Sequence, residues 1–196
     1  VKARQLVPFL DMAYQGFGYG LAEDGAVVGK FVAAGLDVFV STSFSKSFSL
    51  YGERVGALSV VCASKDEAAR VLSQLKIMIR TNYSNPPIHG ASIVARVLHT
   101  PDLRALWEQE LAEMRTRIKA MRGKLVQGLK DAGVQQDMGF ITDQIGMFSY
   151  SGLSKEQMVR LRGEFGVYGT DTGRMCVAAL NSKNIDYVCQ SIAKVM

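Results

Sequence analysis

LDVFVSTSFSKSFSLYGERVGALSVVC, Leu36 to Cys62, holds two apolar runs on either side of a polar loop. The first, Leu36 to Ser45, is rich in β-branched and aromatic residues and stops just before Lys46; the second spans Val55 to Cys62. Both have the length and composition of strands. Lys46 is the only charged residue between Asp37 and Glu53, and it stands among serines and aromatics, with Arg54 eight residues further on. A lysine that serves solubility usually lies among other charges on a helix face, so its isolation where a strand gives way to a turn points to chemistry.

Working outward toward the N-terminus, residues 5 to 11 are nearly all apolar and end in Asp11. They predict a parallel strand covered on both faces. A short helix is expected within Glu23 to Ala34. Strands separated by a helix, with polar residues at their carboxyl ends, define an α/β sheet whose ligands sit at those ends.

Toward the C-terminus the period changes. Ser64 and Glu67 form a capping box, and Ala68, Val71, Leu72, Leu75 and Ile79 recur at helical spacing. Pro86 and Pro87 break that pattern and place a loop at Asn82 to Pro87. A helix within Ala91 to Leu98 and a turn at HTPD follow. Leu103, Leu106, Trp107, Leu111, Met114, Ile118, Met121, Leu125 and Leu129 then describe one long helix. Short strands are expected near GMFSYSG and RMCVAAL, with Ser154 and Gln157 boxing the start of a helix between them. A last helix starts at about Asn184, with Ile185, Val188, Cys189, Ile192 and Val195 on its inner face. The chain therefore divides into a sheet domain over residues 1–102, a connecting helix over 103–131 and a small α+β domain over 132–196.

At 196 residues and 48% hydrophobic the chain has enough apolar surface for a large core. Lysine and arginine total 23 against 18 acidic residues, with no run of like charges, and the basic residues of Arg115 to Lys130 decorate one amphipathic helix. That pattern is a solvated basic surface and ranks nucleic-acid binding last. Cys62, Cys176 and Cys189 form neither a CxxC pair nor a zinc spacing, and all lie in apolar segments that predict buried, reduced thiols. No 18-residue apolar run occurs and the first residues lack the order of a signal peptide, so a soluble, cytoplasmic protein is expected. The chain begins without Met and runs at once into QLVPFLDMAY, which predicts a piece of something longer. His89 and His99 have no partners at triad or metal spacing and read as structural.

Five segments in order, FLDMAYQGFGYG, SFSKSFSLYGERVG, NYSNPP, GMFSYSGLS and GRMCVAALN, span almost the whole chain. Together they resemble the C-terminal half of the aspartate and aromatic amino acid aminotransferases, the fold-type-I enzymes that use pyridoxal 5'-phosphate. FSLYGERVG and GRMCVA lean toward the bacterial aromatic, or tyrosine, branch. The resemblance implies that residues 1–102 are the C-terminal part of the large cofactor-binding domain, with a mostly parallel sheet. It implies a homodimer with shared active sites, amino acid and 2-oxo acid substrates such as 2-oxoglutarate, and no metal, nucleic acid or membrane partner.

Residue by residue, the resemblance makes Lys46 the covalent attachment point and proton carrier. It makes Asp11 the partner of the protonated pyridine nitrogen and Tyr14 a donor to the cofactor's phenolate oxygen. Arg54, with Ser43 and Ser45, holds the phosphate. Arg174 grips the substrate α-carboxylate, Phe148 packs near the substrate, and Arg80 meets a distal carboxylate across the subunit interface. Read alone, several of these residues have plainer roles: Asp11 as a turn cap, Tyr14 and Phe148 as packing, Arg54 as a surface ion pair, Arg80 as a helix-end charge. Missing from the sequence are the family's glycine-rich phosphate cradle, the ring-stacking aromatic and the asparagine at the ring hydroxyl. Two other outcomes stand beside the main one: an aspartate aminotransferase, and a truncated domain inactive on its own. The polar GTDT before Arg174 departs from the apolar residues expected there.

Overall fold

The computed structural model describes residues 1–196, which divide into two compact units. The first comprises Val1–Gly16 and Gly20–Leu111; the second comprises Phe17–Tyr19 and Ala112–Met196.

In the first unit, β1 (Phe9–Met12), β2 (Val38–Ser43) and β3 (Gly56–Val61) form a sheet in that order, with α1 (Leu21–Ala33) between β1 and β2. β1 runs parallel to β2, with Asp11 opposite Ser41, as a strand–helix–strand unit requires. β3 runs antiparallel to β2, with Ser43 opposite Gly56, and so departs from the parallel expectation. The reason lies in the connection. A parallel return needs a crossover of about a dozen or more residues, usually helical, and the segment 44–55 is a run of turns with no helix.

β1 is shorter than the sequence predicted. Lys2–Arg4 form a 3-10 turn, Gln5 adopts left-handed backbone at φ 51, and the ladder begins where Phe39 N–H donates to the Pro8 carbonyl at 3.1 Å. Nor is the strand covered on both faces. Phe9 stacks beside Phe39 at 6.4 Å between ring centroids and stays 61% exposed, because β1 is an edge strand.

Three helices follow: α2 (Lys65–Asn82), α3 (His89–His99) and α4 (Pro101–Asp131). Ser64 caps α2 by accepting from Glu67 N–H, while the Glu67 carboxylate reaches Ala63 N–H one residue short of the expected box. Only Thr100 separates α3 from α4, so the turn at HTPD is narrower than expected; Pro101 sits at the first position of the helix, where a missing N–H costs nothing. The long periodic run from Leu103 to Leu129 is one helix, as its spacing required.

In the second unit, β4 (Phe148–Tyr150) and β5 (Arg174–Cys176) pair antiparallel, α5 (Lys155–Phe165) lies between them in sequence, and α6 (Ile185–Val195) closes the chain. Ser154 and Gln157 make the predicted reciprocal capping box, and Gly166 ends α5 in left-handed backbone. All five predicted inner-face residues of α6 are buried, each apolar side chain contributing about 1.5–3 kcal/mol relative to exposure. Cys189 is fully enclosed, its Sγ donating to the Leu125 carbonyl at 3.7 Å, whereas Cys62 and Cys176 are only half-buried, contrary to expectation. Both flank strand ends rather than a helix interior.

Burial is divided unequally. The second unit holds a closed core that includes Ile118, Leu125, Leu129, Ile141, Met158, Leu161, Val177 and Ile192. In the first, the fully buried apolar side chains are few, Pro8, Val38, Val40, Val94 and Leu111, and no side chain of α2 is fully buried. Leu58, Leu72, Ile77, Met78 and Ile88 are all exposed there.

Candidate active site

Three chain segments meet at one end of the first unit's sheet. β1 delivers Asp11 in its last turn of ladder and Tyr14 two residues beyond it; β2 delivers Ser43, Ser45 and Lys46 at or just past its end. β3 begins at that same end because it is antiparallel, and Arg54 lies two residues before it. The reversal of β3 is thus what returns Arg54 to the Lys46 end of the sheet.

The Lys46 turn is held from several sides. Phe44 N–H donates to the Val55 carbonyl at 3.1 Å, Phe48 N–H to the Phe44 carbonyl at 3.2 Å, and Ser49 N–H to the Lys46 carbonyl at 3.2 Å. Ser45 N–H donates to Ser43 Oγ, and Ser45 and Ser47 on either side of the lysine are buried. Behind the turn the Phe48 ring stacks on Trp107 with centroids 4.5 Å apart, and Trp107 Nε1–H donates to the Ser47 carbonyl at 2.7 Å. Ser49 at φ 55 and Arg54 at φ 53 both adopt left-handed backbone, which non-glycine residues rarely do. Two such residues in one short loop are a local cost of the kind that gathers at functional sites.

Lys46 itself is half-buried. Its Nζ lies 4.7 Å from the Tyr14 ring centroid and 5.2 Å from that of Tyr51, over both ring faces. The Arg54 guanidinium also stands over Tyr51, 5.7 Å from the ring centroid, and donates to the Tyr51 carbonyl at 3.0 Å. Asp11 accepts from Ser41 Oγ at 2.9 Å, which fixes one carboxylate oxygen and leaves the other lone pairs for a donor. A carboxylate, a phenol, an amine, a guanidinium and two hydroxyls therefore gather at one sheet end. They suit a ligand with a cationic ring nitrogen, a ring oxygen, an electrophilic carbon and a phosphate. A neighbouring cleft of about 810 Å³ is lined by Gln15, Thr42, Ser43, Phe48, His99 and Trp107; Lys46 and Asp11 lie outside it.

Arg80 sits in the last turn of α2, exposed, and donates to Ser84 Oγ; Ser84 is left-handed at φ 68 where the chain leaves the helix. In the second unit, β4 and β5 put Phe148, Tyr150, Arg174 and Cys176 on one face of their ladder, with Ser149 and Met175 buried on the other. The Arg174 guanidinium lies 4.8 Å from the Phe148 ring centroid. The polar GTDT segment is a tight turn. Thr170 Oγ1 accepts from Arg174 N–H at 3.1 Å, and Gly173 at φ 84 supplies the left-handed residue before the strand. Asp171 pairs with Arg162 at 3.2 Å. His99 Nδ1–H donates to the Ala95 carbonyl, 2.7 Å away.

Spacing in the sequence missed three supporting residues: Ser41, Tyr51 and Trp107. Trp107 is the chain's sole tryptophan and had counted only as one apolar position of a long helix. Tyr51 lay inside SLYGER, where Lys46 and Arg54 carry the charge and the ring between them carries none.

This chain belongs to the aminotransferase class I and II family, whose model matches residues 1–192. It is 60% identical over all 196 residues to the aspartate aminotransferase of Pseudomonas aeruginosa and 54% identical to the aromatic-amino-acid aminotransferase of Escherichia coli, covering 49% of each. Among solved structures it matches, with a TM-score of 0.97 and 67% identity, the aromatic-amino-acid aminotransferase from Burkholderia pseudomallei covalently bound to pyridoxal phosphate. That match covers 100% of this chain and 49% of the other. The chain thus spans about half the length of the relatives it matches.

Proposed function

We propose that this chain is the C-terminal half of a cytoplasmic, homodimeric aminotransferase that uses pyridoxal 5'-phosphate. It moves an amino group between an aromatic or dicarboxylic amino acid and a 2-oxo acid such as 2-oxoglutarate. The observation that carries this is the gathering of Lys46, Asp11, Tyr14 and Arg54 at one end of the sheet, in a chain of this family.

When bound, the cofactor supplies an electron sink for the carbanion formed at the substrate Cα. The Lys46 amine would hold the cofactor at its aldehyde carbon and, when free, would carry the proton to and from the substrate Cα. Asp11 would pair with the pyridine N–H and keep the ring cationic. The Tyr14 hydroxyl would donate to the ring oxygen, and Arg54 with Ser43 and Ser45 would hold the phosphate. Arg174 receives the α-carboxylate bidentately while the Phe148 ring beneath it excludes water. Arg80 receives a distal carboxylate bound at the other subunit's site.

The open apolar surface of the first unit favours a second statement about the isolated chain: it does not turn over alone. The proposal is tested by reducing the cofactor-loaded full-length protein with borohydride and mapping the labelled peptide. The label is expected on Lys46, and a label on any other lysine overturns the assignment.

A further inference from the structure

We propose that Arg122 is a positioning residue for the α-carboxylate grip, standing in for a third strand along the outer edge of β4. This rests on Arg174 being that grip, as proposed above. The ladder between β4 and β5 uses alternate backbone groups. Val177 N–H donates to the Met147 carbonyl at 2.9 Å and Ser151 N–H to the Gly173 carbonyl at 2.9 Å, so residues 147 and 151 face β5. The carbonyls of Gly146 and Phe148 therefore face the opposite way, along an edge where the sheet has no further strand.

One guanidinium occupies that edge. Arg122 Nη2 donates to the Gly146 carbonyl at 2.7 Å and to the Phe148 carbonyl at 2.8 Å, while Nε donates to Ser149 Oγ at 3.0 Å. Farther along, the Gln144 amide does the same in neutral form, accepting from Tyr150 N–H at 2.7 Å and donating to the Tyr150 carbonyl at 3.0 Å. Side chains thus supply the donors and the acceptor that a neighbouring strand would have supplied.

The charge at this position needs explaining. Arg122 is only 3% exposed, and burial lowers its proton affinity with no carboxylate beside it to raise it again. Enclosing a cation without a counter-ion is costly, and a neutral amide such as that of Gln144 satisfies an edge carbonyl without that cost. What a guanidinium adds is several donors in one rigid plane. That plane fixes Gly146, at φ 83, and Phe148 together, and so sets where the Phe148 ring stands beneath the Arg174 guanidinium. From the same helix, Arg117 donates to the Ala178 and Leu180 carbonyls just past β5, both at 2.8 Å. Two arginines of α4 therefore hold the two strands, one at the start of β4 and one beyond the end of β5.

The test is made in the full-length holoenzyme with 3-phenylpropanoate, a carboxylate without an amino group, as the binding probe. Arg122→Met is expected to raise the probe's Kd about tenfold, the effect of losing roughly 1.4 kcal/mol, and Arg122→Lys about threefold. Cofactor absorbance and its pH titration should not change in either. Arg174→Met is measured alongside. Loss of probe binding in Arg174→Met with wild-type binding in folded Arg122→Met overturns this inference and leaves the carboxylate site standing. Wild-type binding in Arg174→Met overturns the site itself. If Arg122→Met does not fold, Arg122→Lys decides: unchanged affinity there shows that charge and tethering suffice, and the positioning role fails.

Discussion

On the proposed function Arg174 meets a substrate's α-carboxylate and Arg80 its distal carboxylate, and their variants should separate in the same way. Arg174→Ala is expected to weaken every amino acid and oxo acid, because all share the α-carboxylate; a charge-assisted pair contributes about 1.5–3 kcal/mol. Arg80→Ala should harm dicarboxylates much more than aromatic substrates. Steady-state kinetics with both substrate sets checks this, and equal losses for the two sets in Arg80→Ala mean that the residue serves only its own helix end. Cys189 gives a prediction in stability rather than activity. Burial pushes its thiol up to about 11, whereas an unfolded thiol titrates near about 8.5. The neutral thiol's contribution is therefore fully present below the unfolded value and is lost as pH rises from there through the folded value. Urea unfolding between pH 8 and 11 should show a steeper decline for the wild type than for Cys189→Ala, which is less stable at neutral pH. The charged candidates Lys46, Asp11 and Arg54 were legible in the sequence because each stands out in a short motif, and the structure brings them to one sheet end. Ser41 and Tyr51 were not, since a hydroxyl and a ring become site residues only when strand register and loop path set them beside Asp11 and Lys46.

Helices were the most legible elements, for a physical reason: α4 and α6 each show one continuous apolar stripe, and periodicity reports such a stripe directly. Strands were harder. Composition alone does not give strand direction, so the antiparallel β3 depended on the length and content of the 44–55 connection, and β1 lost residues to a turn at Gln5 that no apolar pattern reveals. Packing between helices was not legible at all. A Cβ built on Gly128 of α4 would stand 2.7 Å from Cys189 Sγ of α6, whereas one on Gly123 of the same helix meets nothing within 4 Å. Gly128→Val should therefore destabilise by about 1–3 kcal/mol through overpacking. Gly123→Ala should stabilise by about 0.8–1.0 kcal/mol through helix propensity. Urea unfolding of the two variants measures both, and equal effects would mean that α4 and α6 do not approach as closely as described.

At the scale of the molecule, the two units differ in what they still need. The second is closed around its own core, while the first leaves Phe9 and Leu58 of its sheet and Leu72, Ile77 and Met78 of α2 exposed. Its site is incomplete in the same sense. On the proposed function Lys46, Asp11, Tyr14 and Arg54 would address the aldehyde, ring nitrogen, ring oxygen and phosphate, but the ring-stacking aromatic and the phosphate-cradling helix end implied by the family resemblance are not among these residues. An uncovered sheet and helix face also make for poor solubility unless another chain associates. The most direct test is complementation. Purified chain of verified mass, supplied with pyridoxal 5'-phosphate, is assayed for transamination and cofactor absorbance before and after addition of a separately produced N-terminal half. No turnover is expected from the chain alone, and cofactor colour with recovered activity is expected in the mixture. Full activity from the chain with no other polypeptide present would contradict it.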